Sequence, residues 1–224
     1  MPSEASPTPS MAEDIASTSG TLGSAAFVAA AIAFLTGGSL VIWADPPPST
    51  APVLGMVVHG LWALAIGLLA IGAMTLTWGI NALRTELSSA LGTGALGLGV
   101  VVGVQWVTWA YVDVRSAEHD EYELALETVI VPFGAGHVLM YGVFLGVGVT
   151  FFAWGITRTG FTRPAVSWAG VVVGTLTVLT VTVSLVGALE GGSDGHWVYN
   201  VATLLLPVCY LWAGVVGISV YSGT

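Results

Sequence analysis

Four histidines, one cysteine and two membrane-depth amides are the side chains of this 224-residue chain best suited to chemistry. His137 stands in the run Val131-Pro132-Phe133-Gly134-Ala135-Gly136-His137-Val138-Leu139-Met140-Tyr141-Gly142, which continues without charge to Ile156. An imidazole at membrane depth needs a partner, titrates near neutrality, and ligates metals through a neutral ring nitrogen. His59 lies early in a second apolar run, Gln105 late in a third, and Asn200 at the start of the last. These four form a candidate ligand-binding layer. His59 and His137, together with His119 and His196 beside loop carboxylates, are also candidate metal ligands, which makes haem or a divalent metal the cofactor alternative. The sequence contains no HExxH and no His-x-His spacing, so hydrogen-bonded pairing between helices is the simplest role for the histidines. Cys209 stands alone, which excludes an intrachain disulfide and any CxxC motif and leaves core packing as its role. No catalytic residue is assigned.

The elements that position these groups follow from composition. The chain is 55 % hydrophobic and 8 % charged, with a mean hydropathy of +0.88, values that place it outside the range of soluble domains. Apolar stretches of about 20 residues recur, each long enough to cross a bilayer as a helix, and none alternates as a barrel strand does. The fold expected is all-α: a polytopic transmembrane bundle of six spans, with the lipid bilayer as its first partner. Lysine is absent, the basic residues are Arg84, Arg115, Arg158 and Arg163, and the formal net charge is -9. No basic stripe exists to neutralise phosphates, so nucleic acid is excluded as a partner, and so is lipid recognition through a polybasic patch. An acidic, lysine-free chain rich in Ala, Val, Gly and Thr is similar in composition to proteins of salt-loving archaea.

Residues Met1 to Gly20 are rich in Ser, Pro, Thr and Ala, carry Glu4, Glu13 and Asp14, and lack hydrophobic periodicity. This reads as a disordered acidic tail, and with no basic segment ahead of an apolar core no cleavage before the first helix is expected. Spans are expected from about Leu22 to Ala44, Ala51 to Ile80, Ser89 to Val112, Thr128 to Ile156, Pro164 to Leu189 and Trp197 to Tyr221. The breaks are the triple proline Pro46-Pro47-Pro48, a polar connection over Asn81 to Ser88, an acidic loop over Asp113 to Glu127 in which Ser116 caps a turn, and two turns. The first turn is the basic link Thr157 to Arg163 ahead of Pro164, and the second covers Glu190 to His196. Pro207 is expected to kink the last helix.

Six spans put both termini on one side. With the N-terminus cytoplasmic, Arg84, Arg158 and Arg163 lie inside and Arg115 alone outside, which satisfies the positive-inside bias; the location expected is the plasma membrane with both termini cytoplasmic. His59, Gln105, His137 and Asn200 then all fall toward the outer leaflet, as do Trp43, Trp62, Trp106, Trp109, Tyr111, Tyr141, Trp197 and Tyr199. The aromatics read first as an interfacial belt and second as the lining of a ligand pocket. Gly99 and Gly103, Gly142 and Gly146, and Gly170 and Gly174 supply GxxxG spacings for close helix contact, within the bundle or, as a second reading, in a homo-oligomer or membrane complex.

Several mechanisms are excluded by what the sequence lacks. Without lysine there is no retinal Schiff base, and no P-loop occurs to drive transport with ATP by this chain alone. No GxSG presents a nucleophilic serine, and no helix centre carries Asp, Glu or Arg for a charge relay or voltage sensor. The basic link Arg158-Thr159-Gly160-Phe161-Thr162-Arg163, then Trp168-Ala169-Gly170, then a last helix with Trp212 and Gly214, resembles small six-helix integral membrane families of unknown function, of haloarchaeal type. That resemblance covers about the last three helices, implies a multi-pass architecture, and carries over no site residues. The leading expectation is a non-enzymatic integral membrane protein with an outward-facing ligand or ion pocket. The alternatives are a membrane haem- or metal-binding redox protein and the membrane subunit of a transporter.

Overall fold

A computed structural model describes residues 9–43, 51–83, 87–116, 131–189 and 195–222 of the chain. Six helices account for nearly all of them: α1 Pro9–Trp43, α2 Ala51–Leu83, α3 Leu87–Ser116, α4 Val131–Thr159, α5 Pro164–Leu189 and α6 Gly195–Tyr221. No strand occurs among the described residues. All six helices contain a stretch long and apolar enough to cross a membrane, as a multi-pass membrane protein requires.

The helices pack as a closed ring in chain order. Each contacts its sequence neighbours, and α6 returns to pack on α1. Every neighbouring pair is antiparallel, as close contacts show: Gly23 with Leu76 and Gly37 with Trp62 in α1/α2, Gly103 with Ala63 in α2/α3, and Gly92 with Gly148 in α3/α4. Gly146 with Val178 joins α4 to α5, Thr177 with Cys209 joins α5 to α6, and Gly217 with Ser24 closes the ring. The three GxxxG pairs are all used within the chain. Gly99 and Gly103 face Ile66 and Ala63 of α2, Gly142 and Gly146 face Val181 and Val178 of α5, Gly174 faces Thr150, and Gly170 lies under the Trp212 indole.

These helices sort their faces by size more than by polarity, since almost every position is apolar. Small residues face neighbouring helices and let backbones approach, while Ile71, Met74, Leu98, Val101, Leu179 and Leu204 stand on the exterior where lipid tails solvate them. Inside the ring a continuous cluster of Phe27, Ile66, Leu76, Leu96, Phe152 and Tyr210 fills the space. Phe27 of α1 meets Phe152 of α4 edge to face across the ring, with centroids 5.6 Å apart. Hydroxyls within the spans are satisfied locally: Thr75, Thr150, Thr177 and Ser184 donate to the carbonyl four residues earlier, at 2.7–2.9 Å.

Helix boundaries differ from expectation where small residues carry the packing. α1 starts at Pro9, so residues 9–20, expected in the disordered tail, are helical; Ser19 is buried and its Cβ lies under Gly79 of α2. Of the polar connection expected over Asn81 to Ser88, residues 81–83 belong to α2 and Leu87 and Ser88 to α3, and Ser116, expected to cap a separate turn, is the last residue of α3. α5 occupies the expected Pro164–Leu189, with the Arg163 carbonyl accepting from the Val166 amide at 2.9 Å and Pro164 in the first turn. Gly160 ends α4 at φ 68°, a left-handed conformation suited to glycine after a helix. α6 continues through Pro207. The triple-proline turn, the acidic loop after Ser116 and most of the Glu190 to His196 turn lie outside the described residues, although Gly195 and His196 belong to α6.

Candidate membrane-embedded polar layer

The antiparallel ring has two ends. One carries the start of α1, the end of α6, Arg158 and Arg163; the opposite one carries the starts of α2, α4 and α6 and the ends of α1, α3 and α5. His59 in α2, Gln105 in α3, His137 in α4 and Asn200 in α6 all fall in the half of the ring toward the opposite end.

Side chains refine this picture for two of the four. His59 is partly buried and sits edge-on to Trp62, with centroids 5.8 Å apart and planes at 71°. Gln105 is exposed at the end of its apolar stretch. The side chains of His137 and Asn200 lie outside the described set, as does that of His196, and His119 lies in the segment after α3 that is not described. Among the described residues no three of His, Cys, Asp or Glu come together.

An aromatic column that the sequence does not announce leads inward from His59. Trp62 stacks on Phe34 of α1 at 5.8 Å and 23°, and Phe34 stacks on Tyr210 of α6 at 4.2 Å and 13°. Trp62 can turn inward because Gly37 faces it: a Cβ on Gly37 would lie 2.7 Å from the indole nitrogen. Trp62, expected in an interfacial belt, is thus a packing residue; the other aromatics expected with it lie outside the described side chains. The column ends on Tyr210, which is completely buried beside Cys209. Cys209 is itself fully buried and shares a 3.3 Å hydrogen bond with Thr177, so it acts as a packing residue between α5 and α6.

Exposed aromatics gather toward the arginine end. Trp78, Trp154, Trp168 and Tyr221 are all solvent- or lipid-exposed there. Trp154 and Trp168 meet edge to face at 5.5 Å, and the Arg158 guanidinium lies 5.2 Å from the Trp154 ring centroid. Aromatic and arginine side chains grouped in this way are the kind that membrane–water boundaries favour.

The fold and this layer define an all-α membrane bundle of six spans arranged as a closed up-and-down ring. No protein family, no curated protein and no solved structure matches the chain.

Proposed function

We propose that this chain is a non-enzymatic multi-pass protein of the plasma membrane, with both termini cytoplasmic, that holds a small polar ligand or ion at its outward end. His59, Gln105, His137 and Asn200 are the residues of that site. The observation that supports the reading is the vertical asymmetry of the ring: His59, Gln105, His137 and Asn200 stand on four helices in the half toward one end. Beneath them the described interior is filled by Phe27, Leu76, Leu96 and Phe152. A filled interior below a polar layer favours a site that opens to one face over a continuous pore. The orientation is supported by Arg158 and Arg163, which lie at the end shared by both termini.

The test replaces His59 and His137 together with leucine and measures growth across salt and pH. A growth defect in a double variant that is produced and folded like the parent is expected; unchanged growth removes the site. The purified parent is also examined for visible absorption and bound metal. A Soret band or one metal ion per chain, lost in the double variant, would assign haem or metal as the occupant of the layer.

A further inference from the structure

Closing the ring presses α1 against α6, but the seam is not flush on its outer side. A groove of about 430 Å³ runs along it, with Ala25, Val28, Ala29 and Ile32 of α1 on one wall and Ile218 of α6 on the other. The hydroxyls of Thr21, Ser24 and Ser222, which line it, each donate to a carbonyl three or four residues earlier. Thr21 donates to the Ser17 carbonyl at 3.2 Å and Ser24 to the Gly20 carbonyl at 2.6 Å, so the groove presents hydrocarbon. Toward the arginine end it opens into a second cleft of about 490 Å³, lined by Ser17, Phe161 and Val220; Thr21 and Tyr221 line both spaces. Apolar trough and more polar mouth therefore adjoin at Thr21 and Tyr221 and follow one another along the axis of α1.

We propose that this seam seats one membrane lipid, with a hydrocarbon chain in the α1/α6 groove and the polar head in the cleft between Ser17, Phe161 and Tyr221. Length favours a lipid over a helix of a second copy. From Thr21 to Ile32 the groove follows α1 for eleven residues, which at 1.5 Å per residue is about 16 Å, close to the roughly 15 Å depth of one leaflet's hydrocarbon. A transmembrane helix needs a trough along the full thickness of roughly 30 Å. The small side chains of Ala25 and Ala29, one turn apart, make the space, and the flanking Ile32 and Ile218 are each 61 % exposed. Chain and head are thus matched to separate parts of one surface feature, which a flat lipid-facing wall does not offer. The site stands at the opposite end from the polar layer and is independent of it.

The experiment uses the full chain in nanodiscs of phosphatidylglycerol containing a minor fraction of the same lipid with a diazirine in its acyl chain. Photolabelled peptides are quantified by mass spectrometry. Labelling of the segment Ala25–Ile32 and of Ile218 is expected to exceed that around Leu98, Val101 and Val183, which are comparably exposed, by roughly tenfold. The double variant Ala25→Phe/Ala29→Phe fills the groove and is expected to bring labelling down to that background, while Ala169→Phe, on the exposed face of α5, leaves it unchanged. Ala29→Leu adds less bulk and is read in the same way should the double variant not fold. Uniform labelling of all exposed segments would show bulk lipid only and overturn the proposal. Crosslinks between two copies across the seam, obtained with a bifunctional reagent, would overturn it in favour of a second chain.

Discussion

Replacing Gly92 with alanine tests whether backbone proximity holds the ring together. A Cβ added to Gly92 lies 2.7 Å from the Gly148 carbonyl oxygen and 2.8 Å from the Phe152 Cα, where ordinary contact begins at 3.4 Å. The atoms it meets are backbone, so no rotamer change relieves it and α3 and α4 must part by about 0.6 Å or more. A gap of that size forfeits about a quarter of each dispersion contact around Gly148 and Leu96, and forced overpacking of this kind costs about 1–3 kcal/mol. At Gly97, on the same helix, an added Cβ would meet nothing within 4 Å. Alanine there gains about 0.5–1 kcal/mol from the reduced backbone entropy of the unfolded chain. That gain is common to both substitutions, so the difference between Gly92→Ala and Gly97→Ala isolates the steric term. It is expected to be about 1–3 kcal/mol, a factor of roughly 5–150 in the unfolding constant at ~1.4 kcal/mol per tenfold. The assay is unfolding in mixed micelles titrated with dodecyl sulfate and followed by far-UV circular dichroism. Two variants within about 0.5 kcal/mol of each other would refute the inference that this interface is set by direct backbone contact.

Other outcomes follow from the same packing. Trp212→Phe removes the 2.7 Å hydrogen bond from the indole Nε1 to the Val166 carbonyl and keeps most of the ring, so it is expected to cost about 0.5–1.5 kcal/mol in the same titration. Trp212→Ala, which opens a hole over Gly170, is expected to cost about 3–5 kcal/mol. Cys209 is completely buried; a maleimide should leave the folded protein unmodified and label it only along the unfolding transition, and rapid labelling in native micelles would contradict the closed α5/α6 contact. Thr77→Val breaks the 3.1 Å bond between the Thr77 and Thr93 hydroxyls across α2 and α3 and should cost only about 0.6 kcal/mol, the usual worth of such a bond in a membrane bundle.

The six apolar spans were legible because length and hydropathy decide them, and α5 was legible to the residue because Pro164 opens it and Glu190-Gly191-Gly192 follows it. The start of α1 was not. Its contact with α2 is made by Ala16, Ser19 and Gly23, residues that a search for apolar periodicity passes over because their contribution is small size. The ring order was not legible either, since Gly99, Gly146 and Gly170 offer the same small surface to any neighbour. Position along the chain sets the depth of Trp62 but not the direction it faces. That direction is decided by Gly37 on another helix, which leaves room for the indole to stack on Phe34. The same limit applies to the polar layer: depth groups His59 and Gln105 at one end, while the structure leaves Gln105 exposed and His59 half-covered by Trp62.

The contact between α1 and α6 also imposes an order of events on biogenesis. Gly217 packs on Ser24, and these residues are separated by almost the whole chain. At about 5–20 residues per second of synthesis, α1 waits for roughly 10–40 s before its final partner has been made. During that interval the small-residue face of α1 that will receive α6 has only lipid beside it, so α1 is held by α2 and by the contact of Phe27 with Phe152 of α4. A nascent chain halted before α6 should therefore be the species most open to capture by membrane proteases or insertion chaperones, and the last helix acts as the latch that ends this exposure.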